Sequence, residues 1–330
     1  MPALVTGASG FLGGRLAQML HEQGEEVIVL ARANSDLRHL ATTPVRVVRG
    51  DLGDAAALRE AVGQATHIFH CAACSTDWAP QKTYVDANVS GTQNLLAAAR
   101  NAGSLQRFVH VSTTDIYGYP ETPCTEKHPF VDAGLPYNQT KGAGEAAVWE
   151  AHAEGLPVTI LRPATIYGPR GKDFTQEIAT LLRQRVMAYV GGGNATGGFT
   201  YVDNVAQAML DAAVSPTTLG EAYNIVDGTN ATWRDYATLF ARQLGAKPPW
   251  INLPFGTAMA LSRIFEAPHR LLGLSGRPLL TKHSVYLLGR DQEFPIEKAK
   301  SGFGFVPKIS LEEGIRRSVA WLADSQAAKR

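Results

Sequence analysis

Three glycines near the N-terminus constrain this chain's fold more than any other feature. Gly7, Gly10 and Gly13 lie in Thr6-Gly7-Ala8-Ser9-Gly10-Phe11-Leu12-Gly13, after the apolar run Ala3-Leu4-Val5 and at the start of a helical pattern over residues 11–22. A strand that turns at once into a helix needs Gly7 for the tight turn and Gly13 for close packing of helix on strand. Gly10 lets the backbone approach a pyrophosphate. The helix start offers free N–H groups to phosphates, which makes Ser9, Phe11 and Leu12 candidate contacts as well. A plain glycine-rich turn would carry similar letters. The strand before and the helix after make a dinucleotide the better reading.

The same alternation continues. Residues 26–30, 45–48, 66–69, 107–112 and 158–161 read as buried strands, and residues 54–62, 84–100 and 137–154 as helices. Apolar strands separated by helices imply an α/β fold with a parallel sheet covered on both faces. After Arg162-Pro163 the texture changes, with Gly191-Gly192-Gly193 and Gly197-Gly198 in a loop-rich stretch. Residues 199–202 and 223–226 read as strands that return to the sheet, with a helix over 205–214 between them. From Pro248 onward prolines are frequent and short helices are expected, before a closing helix over 311–322. The expected division is a dinucleotide-binding domain of residues 1–162 with 199–226. Residues 163–198 and 227–330 form a smaller, mostly helical substrate lobe above the strand ends.

Composition narrows the function classes. With 330 residues, 45% of them hydrophobic, the chain can bury a large core. A net charge of +1 and no basic run argue against nucleic acid as a partner. Cys71, Cys74 and Cys124 cannot make a disulfide framework. Cys71-Ala72-Ala73-Cys74 has redox-motif spacing, but it follows the apolar Ile68-Phe69 and lies far from a helix start. Two small buried cysteines beneath the cofactor, with Ala72 against it, are the better reading. His67 and His70 are three apart on a strand and point to opposite faces, so no metal site is expected. No apolar run is long enough to span a bilayer, and a first strand at Ala3-Leu4-Val5 leaves no signal peptide. The expected compartment is the cytoplasm.

Tyr137-Asn138-Gln139-Thr140-Lys141 places a tyrosine and a lysine one turn apart on one helix face. A phenol with pKa of about 10 is a poor proton donor or acceptor at neutral pH, and a neighbouring cation stabilises its phenolate. Alone, the pair is an ordinary surface pair. With the glycine turn it reads as an acid/base tyrosine beside a dinucleotide. The second strand ends Leu30-Ala31-Arg32, with no acid to bind a ribose 2′-hydroxyl. The Arg32 guanidinium can pair with a 2′-phosphate, and Asn34 and Ser35 add neutral donors. NADP(H) is therefore preferred and NAD(H) remains possible, since an exposed loop arginine would look the same. Asp51 and Leu52 are expected beside the adenine.

With these marks the chain resembles the extended short-chain dehydrogenase/reductase superfamily. The resemblance also rests on Gly50-Asp51-Leu52, His70-Cys71-Ala72-Ala73, Asn88-Val89-Ser90-Gly91-Thr92, the stretch from Val111 to Gly118, and Leu161-Arg162-Pro163. It implies a Rossmann doubly wound sheet, Tyr137 as acid/base, and Lys141 binding the nicotinamide ribose and lowering the tyrosine pKa. It also implies Thr113 on the substrate oxygen, Asn88 supporting the active site from the cofactor side, and Pro163 beside the cofactor. Helices 84–100 and 137–154 pair subunits in that family, so a homodimer is expected. Nucleotide-sugar members usually carry an Asn where Thr165 stands and an Arg where Gly197 stands; the dehydratases place an acidic pair where Thr114 and Asp115 stand. The C-terminal lobe, with Leu253-Pro254-Phe255, Leu271-Leu272-Gly273-Leu274 and Pro278-Leu279-Leu280, looks like the 3β-hydroxysteroid dehydrogenase branch with its 2-alkyl-3-ketoacid reductases. Its apolar helix can line a pocket, lean on a membrane surface, or serve as the lobe's own core. The expectation is an NADP(H)-dependent oxidoreductase for a ketone or alcohol on a bulky apolar substrate. A nucleotide-sugar epimerase or dehydratase, and a non-catalytic NADP-binding sensor, are the alternatives.

Overall fold

The computed structural model describes residues 1–274 and 276–327. In chain order the strands are β1 (Ala3–Thr6), β2 (Val27–Ala31), β3 (Arg46–Arg49), β4 (His67–His70), β5 (Arg107–Val111), β6 (Val158–Pro163), β7 (Thr165–Tyr167), β8 (Ala188–Val190), β9 (Phe199–Tyr201), β10 (Glu221–Ile225) and β11 (Ile251–Leu253). The first helices are α1 (Phe11–Glu22), α2 (Ala55–Val62), α3 (Gln81–Tyr84), α4 (Gly91–Arg100), α5 (Pro136–Ala153) and α6 (Ile178–Gln184). They are followed by α7 (Val202–Val214), α8 (Trp233–Leu244), α9 (Phe255–Leu272), α10 (Lys282–Gly289), α11 (Glu297–Phe303) and α12 (Leu311–Ala327).

Seven strands form one parallel sheet in the order β10-β6-β5-β4-β1-β2-β3. This is the doubly wound order, with its reversal between β1 and β4, where such sheets open a crevice. The strands are apolar on both faces because both faces are covered. Val5, Val29, Phe69 and Val109 join one core with side chains of α1 and α7. Leu4, Ile28, Ile68 and Phe108 join a second with α2, α4 and α5. Each fully buried Leu or Ile contributes about 1.5–3 kcal/mol.

Three expectations are corrected. Of the two later strands, only β10 enters the main sheet, beside β6; β9 pairs with β7 in a separate two-stranded sheet. β6 ends on Pro163, and the chain bends so that Thr165 N–H donates to Gly198 O at 3.2 Å, drawing residues 199–201 away from the sheet. The helix expected at 84–100 starts at Gln81 and carries a wider π turn over Val85–Ser90. The helices after Pro248 are not all short. α9 has 18 residues and continues through Pro268, with the next residue's imidazole, His269 Nδ1, hydrogen-bonded to Phe265 O at 3.1 Å. Proline removes one helical donor and often, though not always, ends the helix. Among the described residues no helix is long and apolar enough to cross a membrane.

Candidate active site

A cleft of about 1140 Å³ opens at the C-terminal ends of the strands. It exceeds the roughly 300–1,000 Å³ of an ordinary small-ligand pocket, so it can hold a dinucleotide and a substrate together. Gly7, Ser9, Gly10, Phe11, Leu12, Gly13, Arg32, Asp51, Leu52, Ala72, Thr113, Tyr137, Lys141 and Pro163 all line it.

At one end the wall is backbone. Gly7 has φ +72°, and a Cβ there would lie 2.7 Å from Ala72 N; a Cβ at Gly13 would lie 2.6 Å from Gly7 O. Thr6 Oγ1 bonds His70 Nδ1 at 2.8 Å and accepts from Ala72 N–H at 3.2 Å, which locks the ends of β1 and β4 together. No side chain caps α1, and its first turn carries no acid. Its leading N–H groups are thus left for an anion, a cradle that fits a diphosphate.

Beyond the β2 end, Arg32 is exposed, and among the described residues no carboxylate pairs with its guanidinium. Arg49, which the sequence reading missed, lies beside it. Register pairs Arg49 with Ala31, and its guanidinium donates to Arg32 O at 3.1 Å. The two arginines and Asn34 line one corner with Asp51. Asp51 turns its carboxylate toward its own loop and accepts from Gly53 N–H at 2.8 Å.

Asn88 does not line the cleft. It is buried; its Oδ1 accepts from Cys74 N–H at 2.8 Å, and its Nδ2 donates to Cys74 O and Thr140 Oγ1, both at 3.1 Å. It ties the loop after β4 to α5, as a support on the cofactor side of the site would. Cys71 and Cys74 are half-buried in the cleft wall, less enclosed than expected. Burial pushes both thiols up, Cys71 to about 12, so neither is a thiolate at neutral pH.

Thr113, Tyr137 and Lys141 meet where β5 ends. Pro136 at the first position of α5 starts the helix, and Tyr137 and Lys141 follow on its cleft face. Thr113 is an extended residue whose Oγ1 caps the turn Thr114–Tyr117, and its hydroxyl lies on the Tyr137 side of the cleft, where it lowers the phenol's pKa. Lys141 is buried with Nζ donating to Val111 O at 2.6 Å. Burial lowers its pKa to about 8, opposed by the Glu145 charge. Burial first, and the Asp115 charge second, hold the Tyr137 phenol well above the ordinary value, with only Thr113 pulling it down. Lys141 is engaged with a carbonyl, and partial burial penalises the charged form of the ring. In this structure the Tyr137 phenol therefore keeps its proton at neutral pH.

A buried network supports this floor. Arg162 pairs with Glu145 at 2.5 Å, and Ser112 Oγ donates to the other Glu145 oxygen at 2.5 Å. Arg162 Nη1 also donates to Tyr117 Oη at 2.9 Å, and Tyr117 donates to Asn224 Oδ1 at 2.7 Å. The pair joins α5 to β6, and the tyrosine carries the link to β10.

The other end is walled by side chains from distant segments: Ile166, Phe174, Ile178, Leu181, Trp233, Leu287 and Leu288, with Thr165, Lys172 and Gln292 among the polar ones. Gly197 has no room for a side chain, because a Cβ there would sit 2.1 Å from the Phe199 ring. That ring is stacked on Tyr236 at 4.3 Å and meets Trp233 edge-on at 4.9 Å. At the rim, Arg277 is held between Asp77 at 2.7 Å and Glu177 at 2.5 Å. His283 on α10, another residue the sequence reading missed, stacks on Tyr137 with ring centres 5.5 Å apart and planes 20° from parallel. Its Nε2 is 3.0 Å from Asp115 Oδ2, which also accepts from Tyr119 Oη at 2.7 Å. No local signal links residues so far apart in the chain; only the capping pair Thr281 and Ser284 marks the start of α10.

Comparison with known proteins shows the family and the fold. The model of the NAD dependent epimerase/dehydratase family matches residues 3–226. The chain is 34% identical to a 2-alkyl-3-oxoalkanoate reductase of Stenotrophomonas maltophilia, over 96% of this chain and 98% of that protein. It is 31% identical to a 4-hydroxy-2-methyl-3-oxo-4-farnesyl-3,4-dihydroquinoline-1-oxide ketoreductase of Stigmatella aurantiaca, over 96% of this chain and 95% of that one. Among solved structures, MoeE5 in complex with UDP-glucose and NAD is similar with a TM-score of 0.79 and 26% identity, covering 99% of this chain and all of its own.

Proposed function

Because this chain belongs to the NAD dependent epimerase/dehydratase family, we propose that it is an NADP(H)-dependent oxidoreductase that reduces a ketone on a bulky apolar substrate. One observation carries the reading. Thr113 and Tyr137 open onto a chamber walled by Phe174, Ile178, Leu181, Trp233, Leu287 and Leu288, and the position for a diphosphate-binding arginine is filled by the Phe199 ring. The names of the two relatives, both reductases of 3-oxo compounds, support it.

A nicotinamide dinucleotide, when bound, supplies the hydride. Its diphosphate would rest on the bare first turn of α1, and Arg32 with Arg49 would take a 2′-phosphate. Tyr137 gives its proton to the carbonyl oxygen as negative charge grows there, and Thr113 donates a hydrogen bond to the same oxygen. Lys141 would hold the nicotinamide ribose and ease the loss of the tyrosine proton. In the oxidising direction the same groups work in reverse.

The likeness to the UDP-glucose complex favours a second reading, a nucleotide-sugar enzyme, in which Lys172 would have to hold the phosphates. NADPH consumption with a series of 3-oxo acids, and calorimetry with UDP-glucose, separate the two. Turnover of the oxo acids with no heat from UDP-glucose is the expected result. Micromolar UDP-glucose binding without ketone turnover would overturn the proposal.

A further inference from the structure

The site holds a polar group that the proposed chemistry leaves unused. His283 lies face to face with Tyr137, its Nε2 is committed to Asp115, and among the described residues its Nδ1 has no hydrogen-bond partner. The ring lines the cleft, so Nδ1 is the edge left for a ligand. Three contacts fix its orientation. Asp115 Oδ2 holds Nε2, Tyr119 fixes that same oxygen, and the Tyr119 ring is itself stacked on Tyr286 of α10 at 5.2 Å. A side chain clamped this way is pre-organised for one direction of hydrogen bonding.

The lysines and arginines that line the cleft are placed for different work. Arg32 lies at the far corner, Lys141 is bound to Val111 O, and Arg277 is neutralised between Asp77 and Glu177. Lys172 is exposed. Among the described residues, His283 is the one whose ring stacks on the tyrosine that faces the ketone oxygen. A group bound at Nδ1 then sits in the cleft beside the Tyr137 ring.

We propose that His283, clamped by Asp115, is the specificity residue that binds the carboxylate of a 3-oxo acid, one carbon beyond the ketone that Tyr137 protonates. Its Nε2–H is donated to Asp115 and its Nδ1–H to the substrate carboxylate. The inference rests on the ketone-reductase reading above and adds the substrate's second anchor.

The test uses one matched pair of probes, 3-oxodecanoate and 2-nonanone, the methyl ketone left when that acid loses its carboxylate. Both are assayed by NADPH consumption with the full chain. The wild-type protein is expected to favour the acid in kcat/KM by about tenfold or more, the range for a hydrogen bond to a charged group. His283→Phe keeps a ring to stack on Tyr137 but has no donor. It should lower the acid-to-ketone ratio by about tenfold, mostly through KM of the acid. His283→Gln, which retains a donor, should recover part of the ratio, and NADPH binding by each variant reports that the cleft is intact. An unchanged ratio in His283→Phe would overturn the assignment. So would a wild-type protein that reduces both probes equally well. Failure to reduce any ketone would instead strike the parent reading.

Discussion

The two ends of the cleft are built from different materials. The dinucleotide end is mainly backbone: Gly7, Gly10 and Gly13, the uncapped start of α1, and a loop tied down by Thr6 and Asn88. The substrate end is side chains brought in by β7, α6, α8 and α10. A backbone cradle recognises what all dinucleotides share and has little to vary except at its arginine corner. A side-chain wall can be recut without moving the sheet. The contrast separates binding of a common cofactor from choice of an individual substrate.

The largest effect is expected on the floor where the ends meet. Glu145→Ala leaves Arg162 buried without its carboxylate, so it should lower stability by about 3–5 kcal/mol in chemical denaturation. A loss below 1 kcal/mol would show that the two ends do not depend on a shared support. Next comes Tyr137→Phe, expected to cut turnover by a factor of at least ~10² while NADPH still binds; retained turnover would remove the tyrosine from the chemistry.

At the dinucleotide end, Arg32→Ala should weaken NADP(H) by roughly 2–3 kcal/mol and leave NAD(H) nearly unchanged. Equal losses for both would place Arg32 outside the 2′ corner. Lys141 gives a pH signature there. Its pKa of about 8 means that it is charged below that pH and neutral above it, so kcat/KM should fall about tenfold per unit on the alkaline side. A profile flat to pH 10 would show that its charge is not needed. The same group makes folding gain stability as pH rises from about 8 towards the unfolded value of about 10.4, because the unfolded chain keeps that proton longer. The smallest step belongs to the substrate end. Each added methylene of a 3-oxo acid should gain about 0.8 kcal/mol until the chamber is full. Affinity that ignores chain length would mean that the apolar wall does not hold the alkyl chain.

The sequence announces one end far better than the other, for a physical reason. Glycine spacing within a single turn, and a tyrosine and lysine one helical turn apart, are local relations that a linear chain displays. The main sheet was legible in the same way, because its strands are apolar runs with helices between them. β7 is only three residues long, and its pairing with β9 depends on a bend after Pro163 that no pattern in residues 199–202 reveals. Arg49 joins Arg32 through strand register, and His283 reaches Tyr137 through the fold of the whole lobe. The i,i+4 rule shows the lysine beside Tyr137, whereas the burial and the Asp115 charge that raise its phenol come from segments distant in the chain.

The Phe199 ring against Gly197 also limits how this chain could change by mutation. An arginine at 197 cannot be added alone, since its first carbon would enter a ring already stacked on Tyr236 and Trp233. Clearing Phe199 first would open a hole in that aromatic cluster and lower stability before any phosphate contact existed. The two changes are strongly non-additive: each is harmful alone and useful only with the other. A lineage taking single steps from this chain towards nucleotide sugars would meet that barrier at its first move.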